Sequence, residues 1–343
     1  MSNNPKKILI FKVVTVLINV AIVLIVLEIS LRIWGPPYYR FNNDSMEYYT
    51  NPRGYHDALG KEGSHTIYGL RHDQNTRGYR LPDNFVELYP RGRQENYNRE
   101  NLILGLGDSF AYGRGVRFKD MYMTLLEESL NKSGYDTKVK NCGRQADDLE
   151  ETILVYNRES SRRKYDIVLY GFVLNDFGLP EIERISGFEF IDQNDPDQPF
   201  DPWRQKIRIY GFVRHMLDKR KLHNVTTEVY LEAFEGEYAE KKFNILKEFN
   251  RDVRGNGSRM VIVLFPLLYD FNKYPFKAIH DKLTGFCEKE GILLVDLLPA
   301  FSRYKDSDLW VNPTDHHPNE IANRIAAEEI YVFLVDNDLV RED

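Results

Sequence analysis

The chain is poor in cysteine, with only Cys142 and Cys287 among 343 residues. Two thiols cannot build a disulfide framework. A single bridge stays open, because sequence alone does not place two Cα atoms within bridging range. There is no CxxC pair and no His/Cys spacing of the kind that holds zinc. Positive charge is in short supply as well. Forty-six Lys and Arg against 52 Asp and Glu leave a net charge of −6, which argues against a nucleic-acid binder. The basic run Arg162-Arg163-Lys164 is short and reads as a solvated helix end. No internal repeat is visible. What the chain does have is ordinary hydrophobic content, 42%, and abundant aromatics, 13%, carried mostly by Tyr and Phe. That is ample for one large α/β domain with additions.

One segment lacks charge almost completely. Residues Ile8 to Leu27 are apolar apart from Lys12, Thr15 and Asn19. A bilayer core takes about 20 such residues as a helix. Lys12 can snorkel to the headgroups, Glu28 and Arg32 are spaced to pair at the far end, and Trp34, Tyr38 and Tyr39 suit an interfacial belt. Residues 8–28 are therefore expected to sit in a lipid bilayer. Lys6, Lys7 and Lys12 keep the amino end in the cytoplasm, so a single-pass anchor in the cytoplasmic membrane would carry the remainder to the periplasmic or extracellular side. A cleaved signal peptide is the competing reading. It would need small residues before the cut, and Glu28-Ile29-Ser30-Leu31-Arg32-Ile33-Trp34 has no A-x-A pattern.

The organisation expected is a cytoplasmic tip and anchor over 1–34, an irregular extension with short strands over 35–100 packed on the main domain, and an α/β domain over 101–343. In that last region apolar runs alternate with helical patterns, the signature of a mostly parallel sheet with helices on both faces. Strands are expected at Leu102–Leu106, Thr137–Lys140, Ile167–Tyr170, Met260–Phe265 and Leu293–Asp296. Helices are expected over about 119–132 behind Asp120 as a cap, 146–160, 226–252, 272–290 and 318–336, with Pro318 in the first turn of the last. Residues 176–223 break the alternation, and a loop of that length reads as a cap over the site.

Four segments are expected to meet at one sheet edge. Leu102–Leu106 runs into Gly107-Asp108-Ser109, which delivers a hydroxyl to the carboxyl edge, where open α/β sheets bind ligands. Asn141-Cys142-Gly143 follows the second strand, Asn175-Asp176 follows the third, and Asp315-His316-His317-Pro318-Asn319 leads into the final helix. A serine hydroxyl is a weak nucleophile until a base assists it, and His317 with Asp315 beside it supplies base and carboxylate. Asp108 reads as a cap of the turn after it.

Taken in chain order, these four blocks resemble the SGNH hydrolase superfamily, the GDSL-type esterases. The matching positions are Ser109, Gly143, Asn175 and His317. Asn75-Thr76-Arg77-Gly78-Tyr79-Arg80 and Gly113 with Gly115-Val116 are similar to membrane-anchored bacterial members, and the resemblance covers roughly residues 65–336. It implies a three-layer α/β/α fold with a mostly parallel central sheet, SGNH or flavodoxin-like, behind one N-terminal transmembrane helix. It also implies a catalytic set of Ser109, His317 and Asp315. The oxyanion hole would be formed by the amides of Ser109 and Gly143 and the side chain of Asn175. The implied substrate is an acyl ester of a lipid or envelope polysaccharide, with no metal or organic cofactor. Two positions depart from the pattern. The place three before the histidine, often aspartate, is Thr314, and Val173 stands where glycine is common before Asn175. Two other functions stay open: an O-acyltransferase acting on an envelope glycan, and a low-activity scaffold subunit of a membrane complex with an unidentified partner.

Overall fold

A computed structural model describes residues 5–34, 63–67, 70–83, 97–178, 207–210, 213, 227–312 and 315–342. Thr314, most of 35–100 and most of the expected cap over 176–223 lie outside the described residues. The elements, in chain order, are α1 (Pro5–Trp34), β1 (Gly63–Ile67), β2 (Leu70–Gln74), β3 (Arg80–Leu81), β4 (Asn101–Gly107), α2 (Ser109–Tyr112), α3 (Tyr122–Lys132), β5 (Thr137–Asn141), α4 (Leu149–Ser160), β6 (Ile167–Phe172), α5 (Gly236–Gly255), β7 (Arg259–Leu264), α6 (Lys277–Glu290), β8 (Leu293–Asp296), α7 (Leu298–Phe301), β9 (Trp310–Asn312), β10 (Asp315–Pro318) and α8 (Glu320–Asp336).

The main sheet is parallel and runs β5-β4-β6-β7-β8. A parallel sheet covered on both faces needs strands that are apolar on both sides, and β4 and β6 are buried at every position. Successive side chains alternate between two cores. Leu104, Leu106, Val168, Tyr170, Phe172 and Ile262 pack under α4, α5 and α6. Ile103, Ile167, Leu169, Val261 and Val263 pack under α3 and α8. The edge strand β5 carries Lys138 and Lys140 at its half-buried positions, the charged edge that discourages further pairing. Because β4 starts the sheet and its neighbours β5 and β6 lie on either side, the chain reverses direction of travel at β4. That switch point opens a crevice at the carboxyl ends of β4 and β6.

Several helices begin later than their sequence pattern indicates, each for a local reason. Asp120 does not cap α3: it ends a 3₁₀ turn, Met121 is the cap residue, and the Tyr122 N–H is met by Asn323 Oδ1 of α8 at 2.9 Å. The 146–160 helix starts at Leu149, because Ala146 adopts a left-handed φ of 65° and Asp147 is paired to Arg144; Asp148 and Glu151 then form a capping box. The single helix over 226–252 is two, split where Phe234 turns inward to stack on Phe177 at 4.7 Å. Pro275 holds Tyr274 out of the helical region, so α6 starts at Lys277. Pro318 closes β10 instead of opening α8, whose cap is Asn319, accepting from Ile321 and Ala322.

The small antiparallel sheet β1-β2-β3 and the turn before β3 are hydrogen-bonded to the main domain. Tyr112 Oη donates to Gln74 Oε1 at 3.1 Å, Gly115 N–H donates to His72 Nε2 at 3.1 Å, and Tyr79 Oη donates to Glu159 at 3.0 Å. Helix α1 is long and apolar enough to cross a membrane over Leu9–Ile33, with mean hydropathy 2.8. Its end carries the expected Arg32–Glu28 pair, at 2.7 Å. Cys142 and Cys287 are both buried and free.

Candidate active site

Strand β4 ends at Gly107, whose φ of +135° is closed to most side chains and whose missing Cβ would meet the Gly171 carbonyl at 2.5 Å. The close approach of β4 and β6 brings the segments after both strands together. Asp108 caps α2, accepting the Phe110 N–H at 2.8 Å, and Ser109 is the first residue of that helix. An N-terminal helical residue has no intrahelical acceptor for its N–H.

Ser109 Oγ lies 2.8 Å from His317 Nε2, across 208 positions of chain. His317 Nδ1 is bonded to Asp315 Oδ1, which also accepts the His317 backbone N–H at 3.1 Å. With the Nδ1 N–H donated to the carboxylate, Nε2 is left as acceptor for the serine hydroxyl. The two-residue spacing of Asp315 and His317 works because both lie on β10, paired antiparallel with β9 with an irregular register between Asp315 and Pro318. The Phe110 ring packs 5.3 Å from the imidazole. His316 stacks instead on Trp310, at 3.8 Å.

The structure treats the three expected oxyanion donors differently. Ser109 N–H opens α2. Asn175, in the 3₁₀ turn after β6, reaches the same place: its Nδ2 is 3.4 Å from Asp108 Oδ2. The Gly143 N–H is donated to Asn141 Oδ1 at 2.8 Å in this structure. Glycine is required there by packing. A Cβ at 143 would lie 2.6 Å from Ala111 Cβ, 2.7 Å from Ala111 C and 2.8 Å from Tyr112 N. Asn141 Nδ2 also donates to Ala111 O at 2.7 Å, so one side chain ties the loop after β5 to the helix that bears Ser109.

Arg114 is a member of the site that sequence reasoning missed. Its Nε donates to Asp315 Oδ2 at 3.0 Å and its Nη1 to Gln145 Oε1 at 2.7 Å. A charge-assisted bond on the second carboxylate oxygen fixes the plane of Asp315 and hence the tilt of the imidazole. Beneath the site two carboxyls are buried. Burial pushes Asp108 up, opposed by the Phe110 N–H and the nearby His317. Burial, with Asp108 nearby, pushes Asp176 well above the usual carboxylate range, and Asp176 Oδ2 accepts the Val173 N–H at 3.3 Å. Among the described residues no cluster of three His, Cys, Asp or Glu side chains could hold a metal ion.

The arrangement can deprotonate a serine hydroxyl and meet a developing negative charge with N–H donors, the requirements of acyl transfer. No family model matches the chain, and no curated relative matches it. Solved structures do. An acetylxylan esterase from Geobacillus stearothermophilus is similar at 14% identity over 71% of this chain and 97% of its own, TM-score 0.44. An esterase from Pseudoalteromonas sp. is similar at 15% identity over 69% and 97%, TM-score 0.42. A member of the lipolytic G-D-S-L family from Veillonella parvula is similar at 14% identity over 66% and 94%, TM-score 0.35.

Proposed function

We propose that this chain is a serine ester hydrolase of the SGNH type, working through an acyl-enzyme. The observation that carries the reading is the continuous relay Ser109 Oγ–His317 Nε2, 2.8 Å, followed by His317 Nδ1–Asp315. Ser109 Oγ attacks the ester carbonyl while His317 takes its proton, and Asp315 balances the imidazolium. The tetrahedral oxyanion is met by the Ser109 N–H and the Asn175 side chain. His317 then returns the proton to the leaving alcohol, and water, activated by the same imidazole, releases the acid. The acyl group would come from a lipid or an envelope polysaccharide. The apolar helix α1 serves as a single-pass anchor with the amino end in the cytoplasm and the catalytic domain outside the cytoplasmic membrane.

The test is turnover of short-chain chromogenic esters by the full chain in detergent. Wild type hydrolyses them, and Ser109→Ala and His317→Ala lose activity by a factor of about 10⁴ or more. Equal turnover by Ser109→Ala and wild type refutes the assignment.

A further inference from the structure

Glu28 stands near the end of the apolar span and accepts two backbone N–H groups from far along the chain, Arg208 and Ile209, each at 3.0 Å. A hydrocarbon core of about 30 Å takes about 20 residues of helix. Counted from Leu9, where the apolar window begins, this brings Glu28 to the boundary between acyl chains and headgroups. The backbone it holds is therefore at that boundary too. The same segment is helical at 208–210 and at 213, and it leaves large apolar side chains open: Ile207 43%, Tyr210 38% and Val213 48% exposed. Ile207 directly precedes the helical residues, and positions 207, 210 and 213 recur every three residues in the sequence. The sequence around them is basic. Between 204 and 221, Arg204, Lys206, Arg208, Arg214, Lys219, Arg220 and Lys221 stand against a single acidic residue, Asp218. In a chain of net charge −6, which an anionic surface would otherwise repel, that local reversal of sign is the pattern of an interfacial segment.

We propose that Ile207, Tyr210 and Val213 form a second contact with the lipid bilayer, seated at the headgroup boundary beside the end of α1 and drawn there by anionic lipid. The inference rests on α1 being a membrane anchor. It goes beyond that reading by giving the globular part its own grip on the membrane, so that the domain is held against the surface instead of swinging on a tether. An acyl ester embedded in the same leaflet would then meet a domain of fixed height.

The experiment uses the full chain in vesicles of phosphatidylcholine and phosphatidylglycerol. An environment-sensitive fluorophore is attached at one new thiol at a time: Ile207→Cys, Tyr210→Cys, Val213→Cys, Leu17→Cys within the anchor, and Leu154→Cys on the exposed face of α4. Cys142 and Cys287 are buried and label poorly. Spin-labelled lipids are then added as quenchers. The expected result is a blue shift and quenching by shallow-labelled lipid at 207, 210 and 213, quenching by deep-labelled lipid at 17, and neither at 154. Quenching at 17 with none at 207, 210 and 213 overturns the second contact and leaves the anchor standing. No quenching at 17 overturns the anchor and the inference with it. The three positions are read separately, so one misfolded variant leaves two.

Discussion

Gly143→Ala separates packing from hydrogen bonding at this site, because alanine keeps the backbone N–H and adds only a methyl group. The new Cβ would sit 2.6–2.8 Å from Ala111 Cβ, Ala111 C and Tyr112 N, where carbon contacts are comfortable at about 3.5 Å or more. Something must move by roughly 0.7–1 Å. Two of the three atoms are backbone, so no rotamer change relieves the clash. The loop cannot swing away freely, since Asn141 bonds both Gly143 N and Ala111 O. Helix α2 therefore shifts and takes Ser109 with it. A shift of that size stretches the 2.8 Å bond to His317 to the edge of hydrogen bonding, and misplacement of about 1 Å costs on the order of 10²-fold in rate. Overpacking costs about 1–3 kcal/mol of stability. The assay is kcat/KM on a short-chain ester beside a thermal melt: kcat should fall about 10²-fold and the melting temperature by a few degrees. A variant within about twofold of wild type in kcat/KM, with an unchanged melt, refutes the close approach.

Other consequences can be checked at single side chains. Asn175→Ala removes the proposed oxyanion donor and should lower kcat by about 10²–10³ with KM little changed, measured by steady-state ester hydrolysis. Arg114→Met frees Asp315 Oδ2 from its 3.0 Å bond and should lower kcat about tenfold through a looser imidazole, while the melt stays within a few degrees. Asp176→Asn keeps an acceptor for Val173 but removes a buried carboxyl. Because burial raises the folded-state pKa of Asp176 above its unfolded value, the folded state binds more protons. Stability then falls as pH rises from the unfolded carboxylate pKa, about 4, toward the raised one. Urea melts should show the Asn variant more stable at neutral pH by on the order of 1–3 kcal/mol, with this pH-dependent loss removed.

The strands were legible because buried parallel strands are continuous apolar runs, and Asn101–Gly107 and Ile167–Phe172 are buried throughout. Ser109 and Asn175 were legible as polar residues directly beyond those runs. What local pattern could not supply is contact between distant segments. Arg114 meets Asp315 across 201 positions, and Tyr122 is capped by Asn323 across the same separation. Asp315-His316-His317-Pro318 carries no strand pattern, and it becomes β10 only by pairing with β9. Gly143 is a subtler case. Sequence marks a glycine at the right loop, but whether it serves an anion or a tight contact depends on Ala111 and Asn141, which meet it only in three dimensions.

Covalent labelling bears most directly on the central claim. The full chain treated with a fluorophosphonate and weighed by intact mass spectrometry should gain one adduct, mapped by peptide fragmentation to Ser109. The adduct should be missing in Ser109→Ala and form far more slowly in His317→Ala. An adduct that persists in Ser109→Ala, or labelling indifferent to His317, would contradict the relay between the two side chains.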